Sequence, residues 1–408
     1  MASAAPVAPD VPAVGAPAPA PAPAPAAPRG RSAARLPGLH LAAAVGNADW
    51  HLTAPLLAVL ATSLHTDLAT VTAAIGAYSL GQGLALPLWG RLSDRYGPRR
   101  ALRWGLTAAA VAAAAAAFVD SPALWVAARA ACGAGFAAVA PCAGLYHDAL
   151  GDTTVRQRAY ARMMTLTAGA AIATPVLAGL AARSISWRLV FAVVAVLAAL
   201  LTWYARALPP GAATGAVRVR RPLTGLVRSP GLWALAGLGT AEGLVMLGLP
   251  ALLAPTLTAV RPGGDAALLV TVVYGASVCA GSVGIRLRAP ARPARLLALG
   301  GGASLLAAAL LAVRPTVPVV FAAAILLGCA WGPLHTTLQT WAPRMLPAGA
   351  RGTATSVLAM SGVLACAAGV ALAAPMIERG AFTALFAALA TVAAVLCGAC
   401  AAAGRRWR

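Results

Sequence analysis

From about residue 38 onward, apolar runs of roughly 20 residues alternate with short polar breaks, and the rhythm continues to about residue 403. A helix of that length covers the ~30 Å hydrocarbon core of a bilayer. Such runs stand near 38–62, 69–89, 101–119, 122–146, 163–182, 187–206, 230–258, 265–285, 295–313, 316–339, 352–376 and 381–403. The pattern predicts an all-α membrane protein with twelve spans. A longer polar break, "ALPPGAATGAVRVRRPLTGLVRSP", follows the sixth run and divides the spans into two groups of six. This gives a first bundle over 37–207, a central loop over 208–229 and a second bundle over 230–408.

Residues 1 to about 36 form an Ala-Pro tract, "MASAAPVAPDVPAVGAPAPAPAPAPAAPRGRSAARL". Alternating proline favours extended polyproline geometry and buries no core. The tract lacks the basic start and Pro-free apolar stretch of a secretory signal, so a disordered cytoplasmic tail is expected. Composition strengthens the membrane reading. The chain is 60% hydrophobic and 10% charged, with mean hydropathy +0.80; a soluble domain has about 25% charged residues. The seven cysteines all lie in apolar runs, and the single C-x-x-C, Cys397 and Cys400 in "VLCGACAAAG", has only Ala and Gly around it. No metal ligand set or cofactor motif results.

The net charge of +21 comes entirely from arginine. A nucleic-acid surface would need those arginines clustered on one folded face with aromatics between them. Instead they sit in the breaks between spans. With the N-terminus inside, about 25 arginines fall on the cytoplasmic side and about five, Arg183, Arg188, Arg261, Arg314 and Arg379, on the other. Basic loops stay on the cytoplasmic face, which sets a multi-pass orientation in the cell (inner or plasma) membrane with both termini cytoplasmic.

The stretch "GRLSDRYGPRR", Gly90 to Arg100, follows the second run. Gly90, Leu92, Ser93, Asp94, Arg95, Gly97, Arg99 and Arg100 match the pattern G-x-L-[AS]-D-R-x-G-x-[RK]-[RK], and the chain from about 38 to 404 resembles the major facilitator superfamily. The resemblance implies two pseudo-symmetric six-helix bundles. It also implies that Asp94 meets the positive end of helix 11, near "AGARGTATS", and latches the cytoplasmic side, with Arg351 as a possible second partner. The corresponding stretch of the second half, "GIRLRAPARPARLL", keeps the arginines but has no acid, so a one-sided latch is expected.

Ionisable groups inside a span cost at least ~2.5–3.5 kcal/mol and mark pathways. Three stand near mid-span: Asp49 in helix 1, Arg129 in helix 4 and Glu242 in helix 7. Helix 10 adds Trp331, His335, Thr336, Thr337 and Gln339. In the resembled family helices 1, 4, 7 and 10 line the substrate cavity, so Asp49, Trp50, Arg129, Glu242, Met246, Trp331, His335 and Gln339 are the candidate lining. "RAACGAG", through Arg129, Gly133 and Gly135, is similar to a helix 4 signature linked to proton coupling. Asp49 is the first candidate for the proton carrier and Glu242 the second; either can instead be a static hydrogen-bonded acid. In helix 5, "GAAIATPVLAG" shares only Pro175 and Gly179 with the pattern of drug:proton antiporters, Ala170, Thr174 and Ala178 standing where Gly is expected.

The expectation is a monomeric secondary transporter exporting a small lipophilic or cationic molecule against protons. The alternative is a proton-coupled uptake symporter or uniporter. A membrane enzyme would need paired acids or a nucleophile with its base in a loop, whereas the loops show Arg, Pro and Gly, with isolated acids such as Asp148 and Asp152. A receptor that keeps the fold without transporting is a third class.

Overall fold

The computed structural model describes residues 36–184, 186–209, 228–261, 266–288, 292–347 and 350–406. The expected tail, apart from Leu36, and most of the expected central loop lie outside these residues. The described secondary structure is entirely helical: α1 (Pro37–Ser63), α2 (Leu68–Tyr96), α3 (Pro98–Phe118), α4 (Pro122–Asp148), α5 (Thr153–Ser184), α6 (Trp187–Tyr204), α7 (Pro230–Val260), α8 (Ala266–Arg288), α9 (Pro293–Val313), α10 (Val317–Met345), α11 (Arg351–Glu378) and α12 (Phe382–Arg406). Nine of these, α2, α3, α4, α6, α7, α9, α10, α11 and α12, are long and apolar enough to cross a bilayer. The other three are also long, but α1 and α5 interrupt their apolar positions with His, Asn, Asp, Gln or Arg, and the apolar part of α8, Leu269–Ile285, is shorter.

The helix boundaries follow local chemistry. α1, α3, α4, α7 and α9 begin with Pro, whose missing N–H costs nothing in a first turn. Asp67 caps α2 by accepting from the Thr70 N–H at 2.7 Å, and Asp152 caps α5 by accepting from Val155 at 2.8 Å. α11 has no capping side chain of its own. The charged stretch in the break between the second and third apolar runs is mostly helix: Gly90–Tyr96 forms the last turns of α2, and the reversal is made at Gly97, whose φ of +87° suits glycine. Pro98 then opens α3.

Three rods are interrupted. α4 breaks at Ala137–Ala138, α7 widens to a π-helix over Gly243–Gly248, and α10 does so over Gly332–Thr336. Such π turns occur frequently at functional sites.

Two apolar cores result. One is built from α1–α6, with Leu56, Tyr78, Leu106, Trp125 and Phe191 among its buried members; the other from α7–α12, with Leu249, Leu297, Leu327, Phe386 and Leu396. Trp331 packs against both. Backbones approach closely at Gly133, where a Cβ would lie 2.1 Å from the Tyr78 carbonyl oxygen, and at Gly135, where it would lie 2.5 Å from the Ala109 nitrogen. Small residues thus let α4 cross α2 and α3 at van der Waals distance. Leu84, Leu124, Val196, Leu372 and Val395 stay exposed on the outside, as lipid-facing positions do. Exposed Tyr96, Trp104, Trp203 and Trp233 gather at the arginine-rich end, a position favoured by interfacial aromatics.

Candidate functional site

α1 and α7 carry the two acids in equivalent positions. Both helices begin Pro-Gly-Leu, and the acid is the thirteenth residue of each: Asp49 after Gly46-Asn47-Ala48, Glu242 after Gly239-Thr240-Ala241. This repeat is legible in the sequence and ties the two groups more firmly than their mid-span location does.

Each acid meets a basic group from the helix three places on. Asp49 is fully buried and bound by Arg129 of α4, which donates from Nη1 to Oδ1 at 2.7 Å and from Nη2 to the Asp49 carbonyl at 2.7 Å. The guanidinium lies over the Tyr78 ring at 4.8 Å and the Phe191 ring at 5.1 Å. Phe191 belongs to α6, so the pair sits within the first bundle and both partners are shut from solvent. Trp50, half-buried, packs on the first core and lies 5.5 Å from the His51 ring.

Glu242 instead bonds through Oε1 to Nδ1 of His335 on α10. The carboxylate ends the α-helical part of α7, at the start of its π turn, while the imidazole lies inside the π turn of α10. His335 is partly exposed and its ring stands 4.6 Å from Trp331. Trp331 donates from its indole nitrogen to the Met164 sulfur at 3.4 Å, reaching from α10 to α5 of the other bundle. Met246 is buried in the second core one turn past Glu242. Gln339 lies elsewhere: it lines a small void around Asp148.

At the arginine-rich end, Asp94 accepts from the Gly352 and Thr353 N–H groups and from the Thr353 hydroxyl, each at 2.8 Å. It thereby supplies the cap that α11 lacks. Arg351 does not turn to Asp94; its guanidinium bonds Asp148 at the end of α4. Asp148, which looks isolated in the sequence, also holds Arg156 and Arg344, each at 3.4 Å. Three guanidinium groups, from α5, α10 and α11, therefore meet at one carboxylate of α4. Sequence reasoning missed it because two of its three partners, Arg344 and Arg351, come from distant helices. Of the other motif residues, Arg95 lies over the Tyr96 ring at 5.0 Å, Arg99 reaches the Leu208 carbonyl at 3.4 Å, and Arg100 is exposed. Pro175 and Gly179 lie inside α5 without breaking it.

The sequence profile of the Major Facilitator Superfamily matches residues 39–370. The chain belongs to this family. Members are transporters, not enzymes, and the protein is accordingly a multi-pass membrane transporter. Solved structures agree on the fold. The human organic anion transporter MFSD10 (TETRAN) superposes with a TM-score of 0.73 at 18% identity, covering 92% of this chain and 100% of that one. The proton:xylose symporter XylE, bound to 6-bromo-6-deoxy-D-glucose, superposes with a TM-score of 0.71 at 15% identity, covering 90% and 95%. No curated protein sequence matches significantly.

Proposed function

We propose that the protein is a proton-coupled efflux transporter that exchanges protons for a small lipophilic or cationic molecule by alternating access. It works as a single copy in the cell membrane, with the arginine-rich end and both termini in the cytoplasm. The observation that carries this reading is the contact between Glu242 and His335. Carboxyl and imidazole groups can each give up or take on a proton, whereas a guanidinium keeps its proton throughout. Glu242–His335 is therefore the exchanging pair, and Asp49–Arg129 is a fixed tie that holds α1 to α4. This reverses the preference for Asp49 that the sequence suggests.

The contacts of Asp94 and Asp148 support a state closed toward the cytoplasm. Opening that side separates α2 from α11 and α4 from α10 and α11. Each inward proton contributes ~2.3 kcal/mol per 100 mV toward that cycle. Trp331, which joins Met164 across the bundles, sits beside His335 and can report the rocking motion directly to the proton site.

Ethidium uptake into everted membrane vesicles with an acidified lumen tests the reading. The expected result is accumulation by the wild type and its loss in Glu242→Gln, with ethidium counterflow at zero gradient retained. Equal accumulation by Glu242→Gln overturns the proton assignment. Acid-driven entry of ethidium into right-side-out vesicles, rather than everted ones, replaces export with uptake.

A further inference from the structure

A groove of about 470 Å³ lies between the first turn of α1 and the first four turns of α5, and the transport cycle above makes no use of it. Its floor includes Leu36 and His40, both buried, His40 being fixed by a 3.0 Å bond to His147 on α4. Its outer wall is one face of α5, where Val155, Arg158, Arg162 and Leu166 follow one another at helical spacing and are all exposed. Apolar, basic, basic, apolar is the order along the helix.

We propose that this groove binds an anionic phospholipid from the leaflet at the arginine-rich end, its phosphate between Arg158 and Arg162 and its upper acyl chains against Leu36 and Leu166. From Val155 to Leu166 the helix rises about 16 Å, whereas the headgroup layer is only about 5–7 Å thick. The stripe therefore runs from the headgroups into hydrocarbon. A soluble anion gains nothing from Leu166 or Leu36, and a neutral lipid gains nothing from two arginines. The chain's own residues 1–35 adjoin Leu36, but they hold Arg29, Arg31 and Arg35 against a single acid, Asp10. Their charge matches that of the wall and repels it.

Native mass spectrometry of the full chain in neutral detergent, given equimolar dioleoyl phosphatidylglycerol and dioleoyl phosphatidylcholine, reads the preference. The wild type should retain phosphatidylglycerol over phosphatidylcholine, and Arg158→Gln with Arg162→Gln should reduce that ratio at least about tenfold. Arg206→Gln with Arg228→Gln removes the same charge from the same end of the molecule and should leave the ratio intact. An undiminished ratio in the Arg158/Arg162 variant overturns the proposal. So does displacement by excess inorganic phosphate, which would mark a free-anion site. A preference that emerges only after proteolytic removal of residues 1–35 assigns the groove to that segment and also refutes it.

Discussion

Arg129 and His335 occupy corresponding roles with different chemistry. A permanently charged guanidinium locks Asp49, while a titratable ring faces Glu242. Removing one partner of a fully buried ion pair strands the other, at a cost of about 3–5 kcal/mol. Asp49→Asn and Arg129→Gln should each lower the thermal unfolding midpoint in detergent by several degrees. The joint apolar replacement, Asp49→Leu with Arg129→Met, should recover most of that loss; if it does not, the pair has a role beyond stability. Glu242→Gln keeps a hydrogen-bond partner for His335, so it should lower the unfolding midpoint less than Asp49→Asn does while losing proton-driven flux. The contrast separates a tie from a carrier. Gly133→Leu would drive a side chain into the Tyr78 backbone and should abolish folded protein altogether, as read by size-exclusion chromatography.

Between helices, the difference lies in how the ends are capped. α5 keeps its own acid, Asp152, whereas α11 takes Asp94 from a residue 258 positions earlier in the chain. The charge-to-helix contact is worth about 1–2 kcal/mol and exists only while α2 and α11 are together. Asp94→Asn should shift the protein toward the state open at the arginine-rich end, seen as faster maleimide labelling of a cysteine placed at Thr355. Ala350→Asp gives α11 a local cap and should weaken the latch in the same assay without touching Asp94. Unchanged labelling in both variants would show that the Asp148 cluster alone closes this end. The Asp94 contact with α11 was expected from the family resemblance that the motif carries, since an acid among glycines does not by itself name its partner helix. The Asp148 cluster was not expected, because an acid at a helix end has no local signature until α5, α10 and α11 supply its partners.

At the scale of the whole molecule, hydropathy period and arginine placement made the membrane fold readable, since both record the solvent rather than particular contacts. The same signals gave helix limits within a few residues for most rods, and failed where charged turns continue as helix, at the ends of α2 and the start of α5. The wide turns were not readable as such: Gly243–Gly248 reads as ordinary apolar sequence, and Gly332–Thr336 shows a Gly-Pro pair, His335 and Thr336 without disclosing the change of pitch. Orientation is open to a direct check. A green fluorescent protein fused after Arg408 should fluoresce, and alkaline phosphatase fused there should be inactive but become active when inserted at Asp120. The reverse pattern would invert the proposed direction of export.

The wide turns in α7 and α10 make chain length itself a determinant of the chemistry. One residue added beside Leu244, where the wide turn already holds its extra residue, would swing the rest of α7 by about 100°, presenting a new face to α10 and α11 while Glu242 and every charge stay in place. A natural variant lengthened there would keep each residue that a motif search recognises and still lack a working exchanger.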